Sequence, residues 1–228
     1  MMLIVRMYPR YETDSVWKYV ESRFSKTKNK DIVPLFMSQQ DYQDYVSVVL
    51  EVGNEDELAG FFEKEVAPCK EIAHTRTITL LKPSFYPVPK TTPKDFCRFR
   101  VALGVNPSCY TKAYDRLLRM DPPKHIRFTY VTYSFGEDDI LVSLLAKDLE
   151  SVRSFVADYL EKIVGVESVR ISLTHRTARL ADATTWTKAL KRYSMSRFLP
   201  GAKSAEEDGF DWTYLDHCCV HGAMFDEA

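Results

Sequence analysis

One order of predicted elements occurs twice along this chain of 228 residues. Residues 1–82 and residues 96–182 each read strand, helix, strand, strand, helix, strand. Apolar side chains at every second position mark the strands, as over residues 99–105, and apolar steps of three and one mark the helices, as over residues 152–163. A chain that repeats one unit in this way favours folds in which the two copies pack on each other.

The repeated unit leaves one face of its sheet uncovered. Strands and helices in this order form a ferredoxin-like unit, an antiparallel sheet with both helices on one side. The strand predicted over residues 140–145 is apolar on both faces, so the side without helices should also be buried. We therefore predict an α+β fold, in which two tandem ferredoxin-like βαββαβ domains pair as a pseudo-dimeric α/β barrel.

Two segments lie outside the repeats. Residues 83–95 contain prolines at positions 83, 87, 89 and 93, which is typical of an extended linker rather than of a central strand or a helix. Residues 183–228 form a C-terminal extension. Trp186, Leu190 and Tyr193 share one face of a helix predicted in this extension, and we expect that face to dock on the repeats.

Composition narrows the function classes. The chain is 45% apolar, and its 31 basic and 32 acidic residues give a formal net charge of −1. Such a composition argues against a disordered chain and against binding of nucleic acid through overall charge. Apolar runs are too short to cross a bilayer, so no membrane partner is expected. Five mostly isolated cysteines indicate a reducing, cytoplasmic setting without a disulfide framework.

The second repeat carries a recognisable pattern. Residues 98–105 (RFRVALGV), the turn at residues 134–139 (SFGEDD) and residues 140–148 (ILVSLLAKD) resemble the effector-binding (RAM) domain of the Lrp/AsnC transcription regulators. The helix and strand over residues 149–174 extend the resemblance, which covers roughly residues 97–175. The family turn usually has an aromatic residue where this chain has Asp138.

The resemblance implies a fold, a ligand class and a site. Members of the family form a dimeric α/β arrangement and bind amino acids or other small effectors near subunit contacts, through the turn. Carried over to this sequence, the effector site consists of Ser134, Gly136, Glu137 and Asp139. Glycine allows backbone conformations that expose amide groups, and a carboxylate can bind an ammonium group. A tight turn between antiparallel strands has the same composition, so a purely structural role is the alternative.

The N-terminal repeat lacks the DNA-binding part of such regulators. Residues 1–30 read strand then helix, with no recognition helix after it, so no direct contact with nucleic acid is expected. We predict a small-metabolite-binding protein connected with transcription regulation, rather than an enzyme. The small-molecule effector and either a homo-oligomer or a paralogous regulator are its expected partners. No cofactor or metal is predicted, and assembly with a DNA-binding paralogue through sheet edges is a further alternative.

An enzyme is the rival hypothesis. Dimeric α/β barrels include haem-binding and cofactor-free enzymes, and Lrp/AsnC-like domains also occur in sirohaem decarboxylation. Histidine and arginine beside a porphyrin would then be needed, and the only parallel set in the two repeats is His74, Arg76, His175 and Arg176. The tail adds His217, Cys218, Cys219 and His221, whose spacing is poor for a closed zinc site, so metal binding there is left open.

Overall fold

The computed structural model describes residues 1–27, 29–136, 138–194 and 210–211. The elements of the first repeat are β1 (Met2–Pro9), α1 (Thr13–Phe24), β2 (Ile32–Gln40), β3 (Val46–Val52), α2 (Glu57–Phe61, continued by a π-helical turn at Phe62–Val66) and β4 (Ile72–Phe85). A short strand, β5 (Val88–Pro89), follows. It pairs with β10 (Phe210–Asp211).

The second repeat has the same order. Its elements are β6 (Cys97–Val105), α3 (Tyr110–Leu118, preceded by a 3₁₀ turn at Pro107–Cys109), β7 (Ile126–Phe135), β8 (Ile140–Ala146), α4 (Leu149–Phe155, continued by a π-helical turn at Val156–Leu160) and β9 (Val166–Arg179). After it comes α5 (Ala183–Arg192). Asp148 caps α4 by accepting a hydrogen bond from the Ser151 amide, at 2.8 Å, and hydrogen bonds from Ser151 lower the pKa of this carboxyl.

The eight long strands close into one antiparallel barrel. Their order is β1, β3, β2, β9, β6, β8, β7, β4 and back to β1. The two repeats meet along β2–β9 and β4–β7, where Phe36 lies opposite Arg179 and Phe85 lies opposite Tyr130. The predicted α+β architecture is therefore confirmed. The two four-stranded sheets join edge to edge, so the faces that carry no helices line the barrel interior opposite each other.

The described residues form four apolar clusters, of which three are large and the fourth consists of Val88, Phe96 and Leu145. One lies between the first sheet and its helices and includes Val16, Val20 and Phe24 of α1. A second covers the outer face of the second sheet. The third fills part of the interior, and it combines residues from both repeats with the C-terminal helix: Met2, Ile4, Leu35, Val49, Ile78, Leu80, Phe85, Ala102, Leu141, Trp186, Ala189 and Leu190. This third cluster joins the two repeats energetically, because neither repeat can bury it alone.

The proline-rich segment departs from the expected strand boundary. Residues 83–95 are predicted to be a linker outside the strands, but β4 continues into this segment as far as Phe85. Its register shifts between Leu81 and Ser84, and Lys82 has a φ of 51°. Pro83, which has no amide hydrogen, lies in this irregularity, where the ladder hydrogen bond is already interrupted. Phe85 and Val88 are buried, so the first part of the segment packs on the barrel.

The cysteines are not all unpaired. Cys69 and Cys109 are free, whereas Cys97 is disulfide-bonded. The sequence predicted no disulfide framework, and the disulfide at Cys97 contradicts that expectation at this position. Among the described helices, none combines the length and the hydrophobicity that crossing a membrane requires.

Candidate ligand site inside the barrel

Arginine side chains enter the barrel from two strands. Alternate residues of a barrel strand point inwards, and on β1 these include Ile4 and Arg6. Along β6 they include Arg98 and Arg100. Arg6 and Arg98 are buried although both are charged. Burial lowers the pKa of Arg6 and the nearby Arg100 lowers it further, while Tyr45 and Asp138 act in the opposite direction.

A cavity of about 70 Å³ lies between these arginines and the C-terminal helix. Its polar lining consists of Ser38, Gln40, Ser47, Arg98, Arg100, Thr129, Ser143, Thr174 and Thr177. Its other lining residues are Ile4, Phe36, Val49, Phe85, Tyr130, Leu141, Val142 and Trp186. The cavity therefore has a cationic, hydroxyl-rich part and an aromatic part, a combination suited to a small molecule with one charged end.

Hydrogen bonds fix much of the polar lining. Arg98 Nη1 donates to Thr129 Oγ1 at 3.2 Å and to Ser143 Oγ at 3.4 Å. Thr174 Oγ1 donates to Gln40 Oε1 at 3.0 Å. Because these contacts hold the side chains in one geometry, the polar lining is preorganised rather than assembled on binding.

Helix α5 supplies the aromatic part. Trp186 is fully buried, and its ring contacts the rings of Phe36 and Phe85 edge-on, at centroid distances of 5.7 and 5.9 Å. Arg192, at the end of α5, forms an ion pair with Glu51 of β3. The predicted amphipathic helix is confirmed, and it docks over the interior of the barrel because its apolar face completes the interior cluster.

Two buried donors in the lining have no acceptor among the described residues. These are the indole Nε1 of Trp186 and the hydroxyl Oγ of Ser47. A buried donor without a partner costs about 1–3 kcal/mol. A ligand or water molecule in the cavity could accept these hydrogen bonds.

An ionic cluster adjoins the cavity at Arg100. Asp138 Oδ2 lies 3.6 Å from Arg6 Nη2 and 3.7 Å from Arg100 Nη2, and Asp138 Oδ1 pairs directly with Arg170 Nη2. We call these four residues the Asp138 cluster. Only 7% of the Asp138 side chain is exposed, against 56% of the Arg170 side chain. Asp138 therefore points inwards from the turn between β7 and β8.

The predicted effector residues lie around this turn, outside the cavity lining. Ser134 Oγ donates to the carbonyl of Asp138, and Gly136 has a φ of 132°. Asp139 accepts hydrogen bonds from the Val105 amide at 2.7 Å and from the Tyr110 hydroxyl at 2.6 Å, and the latter raises the pKa of Tyr110. Asp139 thus ties the turn to β6 and α3. Glu137 lies outside the described residues, and an effector-binding role for these four residues stays a prediction.

The residues that the sequence reasoning missed carried a signal. Arg98 and Arg100 stand two apart in an otherwise largely apolar strand, so both must lie on one face of the sheet. Arg6 interrupts the apolar run of β1 in the same way. At Asp138 the signal is the carboxylate that replaces the usual aromatic residue of the family turn.

The histidine and arginine set of the enzyme hypothesis is not brought together. His74 is the third residue of β4, whereas His175 is the tenth of the equally long β9, so their positions are not equivalent. His74 stacks on Tyr8, and His175 Nδ1 lies 3.2 Å from Asp41. The two arginines also have different partners: the guanidinium group of Arg76 lies over the ring of Tyr8, and that of Arg176 lies over the ring of Trp17. The tail cluster at residues 217–221 lies outside the described residues.

Comparison with known proteins identifies a fold rather than a family. No protein-family model matches the chain, and no curated protein is similar to it in sequence. An anthrone oxidase-like protein is similar in structure, with a TM-score of 0.51 and 5% identity over 79% of this chain and 93% of that one. The fold is accordingly that of a dimeric α/β barrel of ferredoxin-like units.

Two further solved structures have lower scores. One is a proposed monooxygenase from Lactobacillus acidophilus NCFM, with a TM-score of 0.48 and 12% identity over 79% of this chain and 93% of that one. The other is a chlorite dismutase variant from Candidatus Nitrospira defluvii, with a TM-score of 0.43 and 10% identity over 84% of this chain and 94% of that one.

Proposed function

We propose that the protein binds a small carboxylic acid in the interior cavity. The carboxylate is held at Arg100 with Arg98 beside it, and the apolar part rests on Phe36, Phe85 and Trp186. The observation that carries the proposal is that two interior arginines, Arg98 and Arg100, line the same cavity as a buried indole N–H that has no acceptor among the described residues. Guanidinium groups bind carboxylates through charge-assisted hydrogen bonds, which are stronger than neutral ones.

The size of the cavity limits the ligand. About 70 Å³ is room for roughly five water-sized groups, since one water needs about 10–15 Å³ on this measure. Propionate and the smallest amino acids are of this size. An amino acid is the ligand class implied by the resemblance to the Lrp/AsnC effector domain, and that resemblance supports a regulatory role.

Partners follow from the same resemblance. A homo-oligomer or a paralogous regulator remains the expected partner. In the described residues, closure of the barrel pairs both edges of each four-stranded sheet. Assembly through these sheet edges, as in the hypothesis of a DNA-binding paralogue, would therefore need another surface.

Substitution of Arg100 tests the proposal. Arg100→Gln should weaken binding of propionate at least tenfold, because a hydrogen bond to a charged group contributes about 1.5–3 kcal/mol. Isothermal titration calorimetry with sodium propionate, at an ionic strength fixed with sodium chloride, measures the effect. Alanine and glycine serve as amino acid probes in the same assay.

Arg153→Gln is the control, because Arg153 is exposed on α4, away from the interior. The control should bind propionate as the wild type does. Circular dichroism establishes that both variants are folded. Equal affinity of the wild type and the Arg100 variant would contradict the proposal, and so would the absence of binding by the wild type at millimolar propionate.

Oxidation of a small aromatic substrate is the second candidate. It is suggested by the name of the anthrone oxidase-like neighbour and by the aromatic part of the cavity. A three-ring anthrone would require the cavity to widen, so acid binding is the stronger proposal. Oxygen consumption in the presence of anthrone tests the candidate, and a rate equal to that without protein would reject it. Haem is not supported at this site, because the cavity is far smaller than a porphyrin and no described histidine lines it.

A further inference from the structure

We propose that Asp138 is an internal competitor for the ligand carboxylate. In the ligand-free protein its side chain occupies the arginine site, and a bound acid displaces it. This inference rests on the proposed function and adds its regulation, because ligand binding would then release a residue of the β7–β8 turn. The same mechanism makes Asp138 the residue that sets ligand affinity.

The cavity and the Asp138 cluster share a residue. Arg100 lines the cavity, and its Nη2 atom is also 3.7 Å from Asp138 Oδ2. A ligand carboxylate paired with Arg100 would therefore lie close to the carboxylate of Asp138. Two carboxylates at this distance repel each other, and the repulsion is strong because the Asp138 side chain is only 7% exposed.

The turn between β7 and β8 is anchored at Asp139, after Asp138, and exposed at the residues that begin it. Asp139 is fixed by the Val105 amide and the Tyr110 hydroxyl. On the other side, 74% of Phe135 is exposed and Gly136 is also exposed. Ser134 Oγ also donates to the Asp138 carbonyl and holds the backbone, so the Asp138 side chain leaves the interior by rotation about its own bonds while the strands stay in register.

Arg170 forms an ion pair with Asp138 from the solvent side of the cluster. Its side chain is 56% exposed, and it pairs with the Oδ1 atom that faces away from Arg6 and Arg100. Arg170 does not line the cavity. It stabilises the occupied state of Asp138 without contributing to the ligand site.

Two variants test the competition in the full chain. Asp138→Asn removes the competing charge and should tighten propionate binding on the order of tenfold, as expected when a binding-competent state rises from a minor to the major population. Arg170→Gln loosens the hold on Asp138 and should tighten binding in the same direction. Removal of the Asp138 charge leaves the buried Arg6 without this ion pair and could unfold the first variant. Because the Arg170 side chain is half-exposed, Arg170→Gln should remain folded and keeps the test available.

Titration calorimetry with sodium propionate measures the affinity of both variants. Asp115→Asn, on the exposed surface of α3, is the matched control. Unchanged or weaker binding by Asp138→Asn would overturn the inference. Weaker binding by Arg170→Gln would also overturn it, because Asp138 would then stay in place beside the ligand. If the wild type binds through Arg100 but neither variant binds more tightly, only the competition fails. If no variant binds propionate, the proposed function itself fails.

Discussion

Gly165 shows how a single position is fixed by backbone geometry. Its φ is 91°, and a Cβ atom built on it would overlap Cβ of Cys109. Gly60, in α2, has an ordinary backbone and nothing within 4 Å of such an atom. One glycine is therefore required by the fold, and the other only reduces the stability of its helix.

The two glycines predict opposite results. Gly165→Ala should lower the free energy of unfolding by at least about 2 kcal/mol, because a left-handed backbone costs an L-residue roughly 1–2 kcal/mol and the overlap adds to it. Gly60→Ala should raise the free energy of unfolding by about 0.5–1 kcal/mol. Urea denaturation followed by circular dichroism measures both. A Gly165 variant as stable as the wild type would contradict the described geometry.

Residue chemistry in the interior was only partly readable from the sequence. The positions of Arg98 and Arg100 follow from alternation, which places both on one sheet face. That this face is enclosed depends on the joints β2–β9 and β4–β7, between segments distant in the chain. No local pattern encodes such pairings, so the effector prediction followed the family turn instead.

At the scale of elements, α5 has a larger role than its length suggests. Its apolar face packs against side chains from both repeats. The amide of Phe85 also donates a hydrogen bond of 2.8 Å to the carbonyl of Tyr193, the residue that follows α5. Amphipathic spacing predicted the helix correctly. Docking on the repeats was predicted too, but not its position over the barrel interior, because the interior cluster exists only after the barrel closes.

Truncation of Trp186 tests the role of α5. Trp186→Ala should lower the free energy of unfolding by about 3–5 kcal/mol, the cost of removing a buried aromatic ring. It should also abolish propionate binding, since the indole lines the cavity. Guanidinium denaturation and calorimetry provide the two measurements. Lys188→Ala, on the exposed side of the same helix, is the control and should change neither. A loss of stability no greater than in the control would show that α5 does not complete the core.

At the scale of the whole molecule, the eight long strands of both repeats form one closed sheet in the described residues. Leu141 of the second repeat shares the interior cluster with Met2 and Ile4 of the first. The predicted boundaries at residues 82, 95 and 182 describe the order of the chain, whereas the interior core crosses them. Both repeats should consequently unfold together.

Leu141→Ala tests this coupling. The substitution should lower the free energy of unfolding by about 2–5 kcal/mol. It should also speed amide hydrogen exchange by the same factor in the most protected strands of both repeats. Mass spectrometry of peptides from β1 and β8 measures the exchange. Leu149→Ala, at a position that is 38% exposed, is the control and should leave both unchanged. Faster exchange confined to residues 96–182 would contradict the shared core.

The sequence by itself determined the repeated order of elements, the apolar helix faces and the helix of the C-terminal extension, because each depends on contacts between residues close in the chain. It did not determine the candidate site. Arg100, Asp138 and Trp186 come from three separate segments, and they meet only because the two repeats pair at both edges and enclose an interior. Enclosure largely buries these groups, and electrostatic interactions are stronger in a low-dielectric interior, which suits their charges and the indole N–H to binding a ligand.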